Sequence, residues 1–384
     1  MPTAHPVIDV DTHITEPPDT WTSRMASKWG ELIPHVECID GYDMWVVNGR
    51  PYSKPGNTAM AGFDGTLPDG PRTYADMPRA AWDPVARVAH MDEHDITAQV
   101  LYPNLGGFGA GAWTDHGDPA FALEAVRAYN DFQTDFASVA PDRLLPITSV
   151  PFWDLDASIA EIERCVDLGH RGINFCNSPA KFDQPRLWDR HWDPIWATVR
   201  DARVPVNFHI GGGRMGEEFA LGADLGFRAN FSRISSMLFM DNLACISDLI
   251  HGGVCHRFPE VAFVSVESGV GPIPAALESY DWQWRNSGVT DENPEYDLLP
   301  SEYFRRQIYG CFWYERDHLT SALLAYPDNM MFETDFPHPT CQHPGPRTPA
   351  VGPVPYIREV LADIPDDIRA KVLGGTAARL YGVS

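Results

Sequence analysis

Val7-Ile8-Asp9-Val10-Asp11-Thr12-His13 is a short apolar run that ends in Asp-x-His. Side chains two apart along a strand share a face, so a strand here can offer the Asp11 carboxylate and the His13 imidazole to one ion. Two further apolar runs end in ligand-type residues: Val204-Pro205-Val206-Asn207-Phe208-His209 and Met330-Met331-Phe332-Glu333-Thr334-Asp335. Three such strand ends can meet at one point.

Between these runs the chain alternates. Asp83-Pro84 is a cap followed by a first-turn proline and opens a helix to about His94. Short apolar runs beginning near residues 7, 96, 144, 171, 204, 261, 307 and 330 are separated by helical spacings of three and four. Eight β/α repeats with buried, non-alternating strands predict a distorted (β/α)8 TIM barrel in a single domain over residues 1–384. The first, fifth and eighth strands carry the candidate ligands at their carboxyl ends, where barrel active sites lie. Residues 20–80 form a long insertion after the first strand, rich in Pro, Gly, Trp and Asp, of the kind that builds lids and substrate walls. Within it, Trp45-Val46-Val47 before Asn48-Gly49 predicts a hairpin. Irregular stretches are expected for about 20 residues after Gly211-Gly212-Gly213 and over 286–302, and one helix over about 235–258.

The chain has 384 residues, 44% hydrophobic, enough for a sizeable core. A formal net charge of −24 argues against nucleic acid or an anionic membrane as partner, because both are bound by basic patches. No apolar run is long enough to span a bilayer, and the first residues lack the regions of a signal peptide, so the expected location is cytoplasmic. Seven scattered cysteines without a Cys-x-x-Cys spacing are expected to be reduced and mostly buried.

Asp11, His13, His209 and Asp335 are therefore the candidate metal ligands. Two imidazoles and two carboxylates suit one divalent ion, Zn²⁺ first, with Mn²⁺ or Fe²⁺ also accommodated. The absence of cysteine from the set argues against a closed structural zinc and for a position open to water or substrate.

Asp11-x-His13, Met91-Asp92-Glu93, Val204 through His209, Arg257-Phe258-Pro259 and Thr334-Asp335-Phe336-Pro337-His338 occur in an order and spacing that span nearly the whole chain. In these motifs the sequence resembles the amidohydrolase-related family that includes aminocarboxymuconate-semialdehyde decarboxylase and the resorcylate and carboxyvanillate decarboxylases. The resemblance implies a single divalent metal on a distorted (β/α)8 barrel, held at the positions of Asp11, His13, His209 and Asp335. It also implies non-oxidative removal of carbon dioxide from a small aromatic or conjugated acid, or hydrolysis by metal-activated water, in a protein that is commonly a homodimer.

Two positions depart from that pattern. The first ligand is Asp11, where the decarboxylases often carry His or Glu. The sixth strand ends in Val266-Glu267-Ser268-Gly269, where they usually carry a catalytic histidine. Glu267 is therefore the candidate acid or base, with His338 as a second proton carrier and Asp335 as ligand and base. Asn104, Arg214 and Ser268 are the candidate substrate contacts, and Trp45, Phe108 and Trp113 could stack on a planar substrate. Glu16 reads more readily as the solvated start of the insertion than as a support for a ligand. The expected enzyme is a metal-dependent lyase acting on a small molecule, the alternative a metal-dependent hydrolase. A barrel retained only for binding is disfavoured by the four intact ligand positions.

Overall fold

The structure is a computed structural model and describes residues 3–213 and 220–383. Its strands are β1 (Ile8–His13), β2 (His35–Ile39), β3 (Tyr42–Val47), β4 (Arg50–Ser53), β5 (Ala98–Tyr102), β6 (Leu144–Pro146), β7 (Thr148–Ser149), β8 (Ile173–Asn174), β9 (Val206–His209), β10 (Phe263–Val266), β11 (Ile308–Phe312) and β12 (Met330–Phe332). All but β2–β4 pair in parallel, in the orders β1-β5-β6 and β7-β8-β9-β10-β11-β12. They are the eight expected strands, with the third split into β6 and β7.

The split has a chemical cause. Pro146 has no N–H for the ladder, and at the next residue Ile147 donates its N–H to Gln133 Oε1 at 2.8 Å, while Gln133 Nε2 donates to the Leu101 carbonyl at 3.0 Å. A side chain from the helix Pro119–Ala137 thus splices the sheet where backbone pairing lapses. On the other side the barrel closes through a parallel bridge between Thr12 and Phe336. There His13 N–H donates to Phe336 O at 2.7 Å and Asp335 N–H to Asp11 O at 3.0 Å. The closing seam runs through three of the residues singled out in the sequence.

Strand residues of one parity, among them Ile8, Val10, Val100, Val264, Val266, Cys311 and Met331, pack with Ala377 and Tyr381 of the last helix and fill the barrel. Those of the other parity, such as Phe208, Phe263 and Phe332, pack outward against the helices. A strand buried on both faces explains why the runs in sequence do not alternate.

The helix opened by Asp83-Pro84 spans Pro84–Glu93, and the Asp83 carboxylate accepts from Ala86 N–H at 2.8 Å. Asn48 and Gly49 both take positive φ, 54° and 69°, and join β3 to β4 as the Asn-Gly signal predicts. Three boundaries differ from expectation. The helix expected over 235–258 breaks into Phe239–His251 and Val254–Arg257 at Gly252-Gly253, Gly253 having φ 71°. The stretch expected to be irregular after the glycine loop contains a helix, Phe227–Ser235, and that over 286–302 contains Val289–Glu292 and the start of Pro300–Gln307. Pro300 at a first helical position is the signal that marks the last of these. All seven cysteines are unpaired, six buried and Cys38 exposed. Among the described residues no helix is long and apolar enough to cross a membrane.

Candidate metal centre at the barrel mouth

β1 does not run straight to its end. Its register against β5 shifts between Asp9 and Thr12, an irregularity of the kind that re-aims side chains beside active sites. Beyond it the strand end is held from outside by Arg87, which is fully buried and donates to His13 O and to Ala80 O, each at 2.6 Å. Asp9 ties the strand to β12: its carboxylate accepts from Thr334 N–H at 2.8 Å, Thr334 Oγ1 at 2.6 Å and Gln99 Nε2 at 3.1 Å. Asp335 follows directly. Asp9 and Arg87 thus hold the strand ends in place, and neither was singled out from sequence. The available signal was a second acidic residue, beside Asp11, inside an apolar strand.

Asp11, His13, His209, Glu267, Asp335 and His338 converge at the mouth, in two overlapping sets whose donor atoms lie within 4.8 Å of one another. His13 Nδ1 donates to Pro103 O at 2.9 Å and His209 Nδ1 to Ile210 O at 2.7 Å. A carbonyl only accepts, so both protons sit on Nδ1 and each Nε2 carries a lone pair. Those two Nε2 atoms are 3.0 Å apart. Around them stand Asp11 Oδ1 at 3.5 Å from His13, Asp11 Oδ2 at 3.6 Å from His209, Asp335 Oδ1 at 3.7 Å from His13 and Glu267 Oε2 at 3.2 Å from His209. Both Asp11 oxygens are buried without a hydrogen-bond partner. Lone pairs facing lone pairs, and an orphaned carboxylate beside them, fit a divalent cation.

The charge balance points the same way. Asp9, Asp11, Glu267, Glu333 and Asp335 are all buried, and among the described residues Arg87 is the only buried Arg or Lys. Burial, then Asp9, raises the Asp11 carboxyl well above its ordinary range. Burial, then Asp335, does the same to Glu267, and burial with Asp11 does it to Asp335 and Glu333. Burial, then His338 and His209, holds His13 well below its usual value and therefore neutral. These carboxyls are stable as anions only beside a compensating cation.

His338 joins the cluster from the segment after β12. Its Nε2 lies 2.7 Å from Asn104 Oδ1, and Asn104 Nδ2 donates to Ile14 O at 2.8 Å, which fixes the amide so that Nε2 is the donor. His338 Nδ1 then faces Asp335 Oδ1 at 2.6 Å, an oxygen that is buried and makes no hydrogen bond. The ring stacks on His13 with centroids 3.7 Å apart, and burial brings its pKa down to about 4. Glu267 and Asp335 both adopt left-handed backbone, φ 54° and 58°. That conformation costs a non-glycine residue about 1 kcal/mol or more and concentrates at functional sites.

The other sequence candidates are distributed differently. Asn104 reaches the site as the partner of His338, with its amide already committed. Ser268 bonds Ser265 Oγ at 2.6 Å in a buried hydroxyl pair. Arg214 lies outside the described residues. Phe108 covers the cluster, its ring 4.4 Å from His209 and 5.0 Å from His13. Trp45 and Trp113 instead pack on Trp21 in the core beneath the insertion. Glu16 is not solvated: it is 1% exposed, and Oε1 accepts from Asn104 N–H at 2.8 Å and Leu105 N–H at 3.0 Å. A polar side chain three residues past a buried strand end met two backbone donors of the next loop, a pairing that sequence does not display. The insertion reaches the mouth, where Met60 and Ala61 donate to Pro337 O, and with residues 338–348 it lines a solvent-open cleft bordered by His338.

Fold and cluster together define a class: a (β/α)8 barrel with an imidazole–carboxylate centre at the carboxyl ends of its strands. The chain belongs to the amidohydrolase family, whose profile matches residues 8–383. It is 23% identical over 391 residues to a 2-amino-3-carboxymuconate-6-semialdehyde decarboxylase of Dictyostelium discoideum, covering 98% of this chain and 91% of that one. It is 32% identical over 280 residues to a gamma-resorcylate decarboxylase of Rhizobium radiobacter, covering 67% of this chain and 77% of the relative. Among solved structures, an amidohydrolase from Mycobacterium avium subsp. paratuberculosis matches with a TM-score of 0.77 at 22% identity, over 99% of this chain and 100% of that one. A manganese-bound 5-carboxyvanillate decarboxylase from Novosphingobium aromaticivorans matches with a TM-score of 0.66 at 16% identity, over 99% and 97% of the two chains. Both structural likenesses support the barrel.

Proposed function

We propose that this protein is a metal-dependent carboxy-lyase that removes carbon dioxide from a small aromatic or conjugated acid. The observation that carries the proposal is the pair of Nε2 lone pairs 3.0 Å apart beside the orphaned Asp11 carboxylate, with Glu267 Oε2 at 3.2 Å from His209 Nε2. Asp11, His13, His209 and Asp335 would hold the ion. When bound, a divalent cation supplies Lewis-acid stabilisation of negative charge on a substrate oxygen. The donor chemistry takes Zn²⁺ or Mn²⁺, and manganese in the Novosphingobium enzyme keeps both in the test.

The protein's own residues handle position and protons. Phe108 and the insertion wall keep water from the mouth and offer a ring face to a planar substrate. As the bond between ring carbon and carboxylate breaks, carbon dioxide leaves and the electron pair stays on carbon. Glu267, whose acid form burial favours, delivers its proton to that carbon. The proton spent on carbon is replaced on Glu267 from water for the next turnover, with His338, anchored by Asn104, standing beside the site. Glu267 also favours a second reading, hydrolysis, in which its carboxylate would take a proton from water.

The test compares Asp11→Asn, His209→Ala and Glu267→Gln for bound metal and for carbon dioxide release across a panel of hydroxybenzoic and unsaturated acids. The ligand variants are expected to lose the ion. Glu267→Gln is expected to keep it while kcat falls about 10²-fold or more. Loss of the ion from Glu267→Gln would make Glu267 a ligand rather than the acid. Turnover without carbon dioxide would replace the lyase with the hydrolase. The homodimer expected from the sequence is checked by light scattering against the 42.8 kDa chain mass.

A further inference from the structure

Outside the mouth, a second group of imidazoles meets on the outer layer of the barrel. His90 and His94 stand one turn apart on the helix Pro84–Glu93 and at its end, and His343 comes from the segment after β12. Each offers a ring nitrogen within 4.8 Å of the others. Ring centroids are 4.2 Å apart for His90–His94, 5.4 Å for His90–His343 and 5.3 Å for His94–His343. Side chains four apart on a helix share a face, so His90 and His94 form a bidentate pair and His343 approaches from a separate element.

The hydrogen bonds set the tautomers. His94 Nδ1 donates to His90 O at 3.0 Å, and His343 Nδ1 donates to Pro344 O at 2.9 Å. Because a carbonyl only accepts, the Nε2 of each carries a lone pair, the arrangement that orients metal-binding histidines through their outer nitrogen. Both ring nitrogens of His90 are shut off from solvent and have no hydrogen-bond partner. A buried imidazole left wholly unsatisfied asks for a ligand. Burial, then His94, keeps His90 far below its usual pKa and therefore neutral, the form that binds a cation. Arg87 acts on His90 from the side of Phe336, and the Glu93 carboxylate acts on His343 and offsets it.

We propose that His90, His94 and His343 form a second metal site, distinct from the mouth, that takes Zn²⁺ through three imidazoles and a water. Three neutral nitrogen donors with an open fourth position are zinc chemistry, whereas the oxygen-rich mouth also suits harder ions. The site would join the helix after the insertion to the segment that carries Asp335 and His338. His343 also lines the cleft bordered by His338, which gives the ion a path in from solvent. The bound ion acts there as a clamp.

The experiment counts equivalents of Zn²⁺ by equilibrium dialysis and elemental analysis on protein first stripped with a chelator. It is repeated with Co²⁺, whose visible absorption reports the ligand field directly. Two equivalents are expected for the wild type, one for His209→Ala, one for His343→Ala and none for the double variant. In the His209→Ala background, Co²⁺ should give a visible spectrum that disappears with His343→Ala and with the more conservative His94→Gln. Circular dichroism confirms that each variant is folded. The proposal is overturned if His209→Ala binds no stoichiometric ion, or if its ion survives both His343→Ala and His94→Gln. Failure of the mouth assignment gives a different pattern, in which His209→Ala removes nothing while His343→Ala still removes one equivalent.

Discussion

Glu16 gives a direct test of how the wall of the site is held. Its carboxylate is 1% exposed and accepts from two backbone N–H groups of the 104–105 turn, which carries the amide that fixes His338. Burial favours the neutral acid and the two donors favour the anion; burial wins and pushes the pKa from 4.5 up to about 7. Between those values the unfolded chain has lost the proton and the folded chain keeps it, so the folded state binds more protons. Stability therefore falls as pH rises from about 4.5 to about 7 and stays lower above, by roughly 3 kcal/mol at about 1.4 kcal/mol per tenfold change in proton affinity. Glu16→Gln keeps the acceptor oxygen and cannot ionise. Its stability relative to wild type should rise across that window by up to roughly 3 kcal/mol, read from urea midpoints at about pH 5 and about pH 8. A gap that stays constant or shrinks with pH would mean that the folded carboxylate is ionised and that the backbone donors, not burial, govern it.

Three further outcomes follow from the same geometry. Asn104→Ala removes the acceptor from His338 Nε2 and should lower kcat about 10-fold to 100-fold with metal content unchanged, checked by steady-state kinetics beside elemental analysis. Glu161 is fully buried; burial pushes its pKa up, but bonds from Arg164 at 2.6 Å and Asn130 at 2.8 Å outweigh this and hold it below the usual range. Its contribution is present above about pH 4.5 and lost as pH falls through the lowered folded value, so the stability gap between wild type and Glu161→Gln should close in acid unfolding. Asp83→Ala removes the cap of the helix Pro84–Glu93 and should cost about 1 kcal/mol, measured by chemical denaturation with the activity unchanged.

The barrel was legible in the sequence because its strands are buried on both faces and its helices on one, two patterns that differ along a single chain. The convergence of the candidate ligands was legible for a related reason. Asp11, His13, His209 and Asp335 are polar residues at the ends of apolar runs, and the barrel topology places such ends together. Local signals with a backbone mechanism also carried through, as at Asp83-Pro84 and Asn48-Gly49. Where the signal was weak the boundaries moved: Gly252-Gly253 broke a helix, and Pro300 opened one inside a stretch expected to be irregular.

What the sequence by itself determined is which residues could end on a common mouth, since side-chain type and period are properties of one segment. What only the tertiary structure decided is how those residues are held and protonated. Asp9 meets Thr334 across 325 positions of chain, Glu16 meets the turn at 104 and 105, Asn104 fixes His338, and His343 arrives beside His90 and His94. Each of these is a contact between segments with no local period in common. Hydrogen-bond satisfaction and burial act on distances in space, and those distances exist only once the barrel has closed.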